Sequence, residues 1–299
     1  MDPGGARERT AARPRYARWD DRSPGAGGRS AAGERCAYRG SARNQAATTS
    51  LTESTFQARS EMISATQLYD FVQCPHRVSL DVLGDQSLRD EPNSFVQLLW
   101  EQGLDHEADI VTLLGISADI RRVPPADRER ETLAAMQRGD QLIYGGRLTS
   151  GDLVGEPDLL ERRGGGYIPG DIKSGSRFEG DDGDGKLKKH YAYQLAHYIL
   201  ILDQLGFGDG SREAFVIDRR ANRVPYVLTE PQGIRNTETW WDSYLHALAD
   251  VRAILGQAQP TLGALCGECK LCHWHSYCRK DLVMRDDLTL IAELGRSKR

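Results

Sequence analysis

Apolar positions are spaced in two ways along this chain, and the change of spacing marks its elements. Between Asn93 and Gly115, Phe95, Leu99, Gly103, His106, Ile110 and Leu113 recur every three or four residues. That is the stripe of a long helix, with His106 on the inward face and Gly103 one turn away, where the missing side chain lets another element approach. Farther on the period shortens to two. LVGEPDLLE predicts a strand near 152–161 with Val154, Glu156, Asp158 and Leu160 on one face. In YIPGDIKSG, a strand near 166–173, Tyr167, Pro169, Asp171 and Lys173 share a face, and Ile168 and Ile172 point to the opposite, core side. Gly164, Gly165 and Gly166 suit a tight hairpin between the two.

Around these lie simpler elements. Ser64 and Gln67 form a capping-box pattern before LYDFVQ, and Cys74-Pro75 ends that helix, the first of two short ones. A linker through Pro124 and Pro125 leads to a helix in DRERETLAAMQR that stops at Gly139, and a strand is predicted near 141–148. After the glycine- and aspartate-rich RFEGDDGDG comes a helix over 187–204, with Leu187, Tyr191, Gln194 and Tyr198 on one stripe. Lys186, Lys188 and Lys189 at its start oppose the helix dipole, so they precede the helix, serve a passing anionic backbone, or form a solvated charged end. Strands in AFVIDR and VPYVLT and a helix around 237–256 complete an α/β core with a mixed sheet and helical N-terminal elaboration.

The first sixty residues break this pattern. They hold 11 Arg, 6 Asp+Glu and no Lys, a net +5 that leaves -9 for the rest of a chain whose total is -4. With no amphipathic period, residues 1–61 read as a disordered Arg/Gly/Ala-rich leader, either a nucleic-acid-binding arm or a nonfunctional extension ahead of a start at Met62. No run of eighteen apolar residues occurs, so no membrane span is expected and the cytoplasm is the expected location. A pI near 6.0 speaks against a nonspecific DNA coat but not against an enzyme with local basic residues.

Candidate chemistry sits on the two central strands. Asp158, twelve residues, then Asp171-x-Lys173 would bring two carboxylates and an ammonium onto one patch. Such a cluster is unfavourable in a structural core, and a divalent metal resolves the repulsion. Each piece alone has a plainer reading: an ordinary hairpin with solvent-facing charges, and a core histidine satisfied by hydrogen bonds.

Taken in order, GLDHE (His106), GEPD (Asp158), DIK (Asp171, Lys173) and QLAHY (Gln194, Tyr198) resemble the motif series of the RecB-like branch of the PD-(D/E)xK nucleases, over residues 62–285. The resemblance implies a restriction-endonuclease-like α/β core with a mixed sheet, N-terminal helices and a C-terminal Cys cluster. It implies Mg2+ or Mn2+ held by His106, Asp158, Asp171 and the carbonyl of Ile172. Lys173 would orient or deprotonate the attacking water, and Gln194 and Tyr198 would position the substrate and the lysine. Glu107 and Glu156 are outer-shell carboxylates at most. The final DDLTLIAELGRSKR, residues 286–299, resembles the opening of a helix-hairpin-helix unit, so a fragment or a shortened chain is expected.

Four of the six cysteines lie in LCGECKLCHWHSYCRK, and a reducing compartment favours metal over disulfides. A local four-Cys zinc site is one reading, with His273 and His275 as further donors. The other is again a resemblance: AddB-type and CRISPR-adaptation RecB-like nucleases hold a 4Fe-4S cluster with one upstream cysteine and a C-x2-C-x5-C. Cys74 with Cys269, Cys272 and Cys278 match that arrangement, leaving Cys266 surplus. Such a cluster would staple positions 195 residues apart and remove much unfolded-state entropy. The expected activity is a metal-dependent DNA exonuclease on single-stranded or frayed ends, in repair or recombination with a helicase or repair partner. The alternative is a noncatalytic DNA-binding module with the same fold, a scaffold within a helicase or repair assembly; a zinc-ribbon adaptor with an accidental D-x-K is a further one.

Overall fold

A computed structural model of the chain describes residues 62–176, 178, 185–233, 236–291 and 294–296. The leader and most of RFEGDDGDG lie outside the described residues.

β1 (Ile63–Ser64) opens into α1 (Ala65–Gln73) through the expected capping box: Ser64 Oγ accepts from Gln67 N at 3.2 Å, and Gln67 Oε1 accepts from Ser64 N at 2.7 Å. Cys74 closes α1, and Pro75, whose missing N–H costs nothing in a first turn, begins α2 (Pro75–Leu83). α3 (Ser94–Leu113) contains the predicted long helix. Its expected inward stripe is not inward: Phe95, Leu99 and Leu113 are exposed, and of the whole helix Ile110 alone is fully buried. Among the described residues α3 meets the core through its C-terminal half, at Ile110 and the partly buried Val111, which periodicity cannot reveal. Gly103 is no close approach either, since a Cβ there would meet Ser174 Oγ at an ordinary 3.8 Å.

β2 (Ala118–Asp119), α4 (Arg128–Arg138), β3 (Leu142–Tyr144), β4 (Leu148–Ser150), β5 (Leu153–Gly155), β6 (Leu159–Arg163) and β7 (Gly166–Ile172) follow, then α5 (Lys189–Gln204), β8 (Glu213–Ile217) and β9 (Arg223–Val227). A small hairpin of β10 (Pro231–Gly233) and β11 (Asn236–Thr239), α6 (Trp240–Leu255) and α7 (His275–Met284) complete the chain. The main sheet has the order β2-β3-β6-β7-β8-β9, and a second runs β1-β5-β4. β6 and β7 form the expected hairpin, antiparallel from Arg163↔Gly166 to Leu159↔Gly170. β7 and β8 are parallel, joined by the α5 crossover, so the main sheet is mixed. The α/β reading with N-terminal helices holds.

Two expected strands are each split in two. The 141–148 strand divides into β3 and β4, in different sheets. The 152–161 strand divides into β5 and β6, because Glu156-Pro157-Asp158 leaves strand geometry where the chain passes from one sheet to the other. Nor is Ile168 and Ile172 the sole core side of β7. Every residue of β7 is buried: Tyr167 joins the large core with α1, α5 and α6, while Ile168 and Ile172 join a smaller one with Ile110, Leu159, Phe215 and Ile217. A central strand covered on both faces loses the inside–outside contrast that alternation needs.

Candidate active site

The site forms where the hairpin ends. β7 is paired on both sides, by β6 and β8, and its last turn of pleat carries Asp171, 1% exposed. Asp158, just before β6, lies across from it. The Ile172 N–H donates to Asp158 Oδ2 at 2.8 Å, and the Asp158 N–H points at Asp171 Oδ1 at 3.4 Å. Backbone therefore fixes both carboxylates. Lys173 places its Nζ 3.0 Å from Asp171 Oδ2, an oxygen that has no well-aligned hydrogen bond among the described residues.

The electrostatics follow. Burial, then the neighbouring Asp171, push the Asp158 carboxyl well above the usual carboxylate range. Burial alone would pull the Lys173 ammonium down, but Asp171 and Asp158 hold it above its ordinary value, so Lys173 is a firm cation in this arrangement. Its ammonium also lies 5.5 Å from the centre of the Tyr191 ring.

Gln194 and Tyr198, one turn apart on α5, come together as the sequence requires: Gln194 Nε2 donates to the Tyr198 hydroxyl at 3.0 Å, and that hydroxyl donates to the Glu156 carbonyl at 3.3 Å. Burial, then Asp171 and Asp158, raise the Tyr198 phenol well above its ordinary value, which places it beside the carboxylates. It fits there because residue 155 is glycine; a Cβ would sit 2.7 Å from Tyr198 Cδ1.

His106 carries a buried Nε2 with no hydrogen-bond partner among the described residues. Its neighbour Glu107 reaches the site through Arg121, whose Nη2 lies 3.2 Å from Glu107 Oε1 and 3.3 Å from Asp158 Oδ1. Glu156 does not: its exposed side chain pairs with Arg147. Arg121, and Tyr144 donating to Glu107 Oε1 at 2.8 Å, carried no signal in the sequence. Among the described residues no three His, Cys, Asp or Glu side chains are grouped closely enough to hold a metal ion, and Asp158 and Asp171 are the pair that the backbone brings together. A divalent ion nevertheless fits this donor set. Two carboxylates are forced together, one with its pKa pushed up, and an imidazole nitrogen is buried without a partner.

A separate pocket lies at the C-terminal end of α1. Cys74, Cys266, Cys269, Cys272 and Cys278 all line it, and all are free thiols. The upstream cysteine and the C-terminal segment do converge, without three thiols closing on one point. Burial, then Cys272 and Cys74, push the Cys278 thiol up to about 12. Cys266 is not idle: its sulfur lies 3.6 Å from that of Cys269, and this hydrogen bond holds the Cys269 thiol low. Arg296 Nη2 lies 2.9 Å from Cys74 Sγ. His273 turns away to pair with Asp81 and Arg89, whereas His275 lines the pocket.

A family model described as the PD-(D/E)XK nuclease superfamily matches residues 85–279, a span that holds every cleft residue named above and all the pocket thiols but Cys74. Among solved structures, the crystal structure of SSO0001 is similar at 16% identity, covering 77% of this chain and 89% of that one, with a TM-score of 0.33. No curated protein matches the chain.

Proposed function

This chain belongs to the PD-(D/E)XK nuclease superfamily, and we propose that it is a divalent-metal-dependent DNA nuclease of the RecB-like branch, an exonuclease on single-stranded or frayed ends in repair or recombination. The single observation that carries this reading is the Asp158–Asp171–Lys173 constellation, buried at the end of a strand paired on both sides. A noncatalytic scaffold needs no such set of repelling carboxylates.

His106, Asp158, Asp171 and the carbonyl of Ile172 would hold Mg2+ or Mn2+. When bound, the ion supplies Lewis-acid stabilisation of the charge that develops on the phosphate. The protein's own groups do the rest. The Ile172 N–H keeps Asp158 turned inward. Lys173, its Nζ 3.0 Å from Asp171 Oδ2, would orient or deprotonate the attacking water. Gln194 and Tyr198 brace one another and close the site from the α5 side.

The cysteine pocket supports a 4Fe-4S staple held by Cys74, Cys269, Cys272 and Cys278, with zinc as the alternative metal. Free thiols and the lack, among the described residues, of any helix long and apolar enough to cross a membrane support a reducing, cytoplasmic setting. In domain terms, residues 62–285 would be the nuclease domain.

Anaerobic purification with iron, sulfide and zinc analysis, and cleavage of end-labelled single-stranded, blunt and circular DNA in Mg2+ and Mn2+, tests the whole reading. Expected are brown protein and metal-dependent shortening from single-stranded or frayed ends. Binding of DNA without cleavage in either metal would instead make the protein a scaffold.

A further inference from the structure

Two arginines stand side by side after β2, in the one-turn helix Ile120–Arg122, and they differ completely. Arg122 is 85% exposed and pairs with Asp119. Arg121 turns inward over the cleft. Its stem runs through a slot that exists only because residue 145 is glycine, where a Cβ would lie 2.4 Å from Arg121 Cγ. At the end of that slot one nitrogen, Nη2, meets both Glu107 and Asp158, and the guanidinium carbon lies 5.7 Å from the centre of the Tyr144 ring. Tyr144 in turn holds Glu107 in place.

This is more support than a surface ion pair needs, and less use of the arginine than it allows. Nε and Nη1 donate no hydrogen bond among the described residues, yet the side chain is 41% exposed and lies at the mouth of the cleft. A planar, permanently charged fork with idle donors beside a phosphodiester-cleaving site matches a phosphate oxygen pair. Both oxygens of Asp158 are also already engaged, Oδ2 by the Ile172 N–H and Oδ1 by Arg121. Arg121 and a divalent ion therefore compete for Oδ1, while Glu107 can keep the arginine at the mouth.

We propose that Arg121 is a phosphate-contacting residue of this site, held in wait on Glu107 and Asp158; the inference rests on the nuclease reading and names the group that grips the nucleic-acid backbone. Burial works against the Arg121 charge, but Glu107 and Asp158 outweigh it, so the cation is present at every working pH.

The test is binding of a labelled oligothymidylate across a salt series, with cleavage withheld by Ca2+, together with Mn2+ calorimetry in the absence of DNA. Arg121→Met is expected to lower DNA affinity about tenfold and to make the slope of log affinity against log salt shallower by about 0.7, one single-strand phosphate contact. Its Mn2+ affinity is expected to equal or exceed that of the wild type. Arg121→Gln, which keeps a donor for Glu107 without the charge, should show the same salt slope and covers the event that Arg121→Met does not fold. An unchanged slope in both variants, or an equal change in Arg122→Met, would overturn the assignment. Wild-type protein that neither binds nor cleaves DNA would instead remove the nuclease reading beneath it.

Discussion

The carboxylate cleft and the cysteine pocket use opposite kinds of support. In the cleft, Asp171 closes a strand hydrogen-bonded on both sides, and the next residue's N–H holds Asp158, so the repelling groups are fixed by the sheet itself. The cysteine pocket has no strand in it. Its thiols come from the α1–α2 junction, a coil with the one-turn helix Gly267–Leu271, and α7. Side chains tie these together: Asp81 accepts from Trp274 Nε1 at 2.8 Å, and Asp90 from Ser276 N at 2.8 Å. A sheet can hold charges against their repulsion before any ion arrives, whereas a pocket of coil and helix ends gains its rigidity from what it binds. Damage to the cleft should therefore cost rate and spare the fold; damage to the pocket should cost stability and spare the chemistry.

The largest expected effect breaks the cleft alone. Asp158→Ala or Asp171→Ala should lower metal-dependent cleavage about a thousandfold or more, with iron content unchanged, as measured by single-turnover cleavage and metal analysis. Lys173→Ala should do similar damage to rate while calorimetry finds Mn2+ still bound. Undiminished cleavage by both aspartate variants would remove the site. In the pocket, Cys74→Ser should bleach the protein and lower its melting temperature by several degrees, about what the loss of a long-loop crosslink costs. Turnover per folded molecule should persist. Cys266→Ser should keep the colour; if it bleaches instead, the Cys266–Cys269 pair belongs to the ligand set. Colourless, zinc-containing protein indifferent to Cys74→Ser would reduce the staple to a local zinc site.

A third measurement separates the scaffold from both pockets. His197, on α5 behind the cleft, donates through Nε2 to the Ile63 carbonyl at 3.0 Å and accepts at Nδ1 from the Tyr244 hydroxyl at 3.1 Å. Burial lowers its pKa to about 4, so between about pH 6.5 and 4 the unfolded chain takes up a proton that the folded one refuses. Acidification through that window should cost about 3 kcal/mol of stability. Asp70 works against it, because burial raises its pKa to about 6 and folding then favours the proton. The readout is thus the difference in acid slope between wild type and His197→Gln, which should be shallower. Equal slopes would assign the acid sensitivity elsewhere. The smallest effect concerns His106: its orphan Nε2 should favour Mn2+ over Mg2+ by a few-fold, and His106→Ala should narrow that ratio. A ratio that does not move would exclude His106 from the ligands.

What the sequence determined by itself is what local chemistry decides. Ser64 and Gln67 cap α1 because both partners lie within one turn. Gly164 and Gly165 turn the hairpin because strand register follows from the loop between adjacent strands, and Gln194 meets Tyr198 because four residues make one helical turn. The order of Asp158, Asp171, Lys173, Gln194 and Tyr198, and the thiol inventory, were legible for the same reason. Tertiary structure decided everything that needed a distant partner. It broke the strand at Glu156–Asp158, because β5 pairs with β1 and β6 with β3 and β7. It erased the alternation of β7 by covering both faces, left most of α3's apolar stripe outside the core, and sent Glu156 outward while bringing in Glu107. It alone placed Arg121 against Asp158, 37 residues away, since periodicity reports which face a residue takes and is blind to what that face will meet.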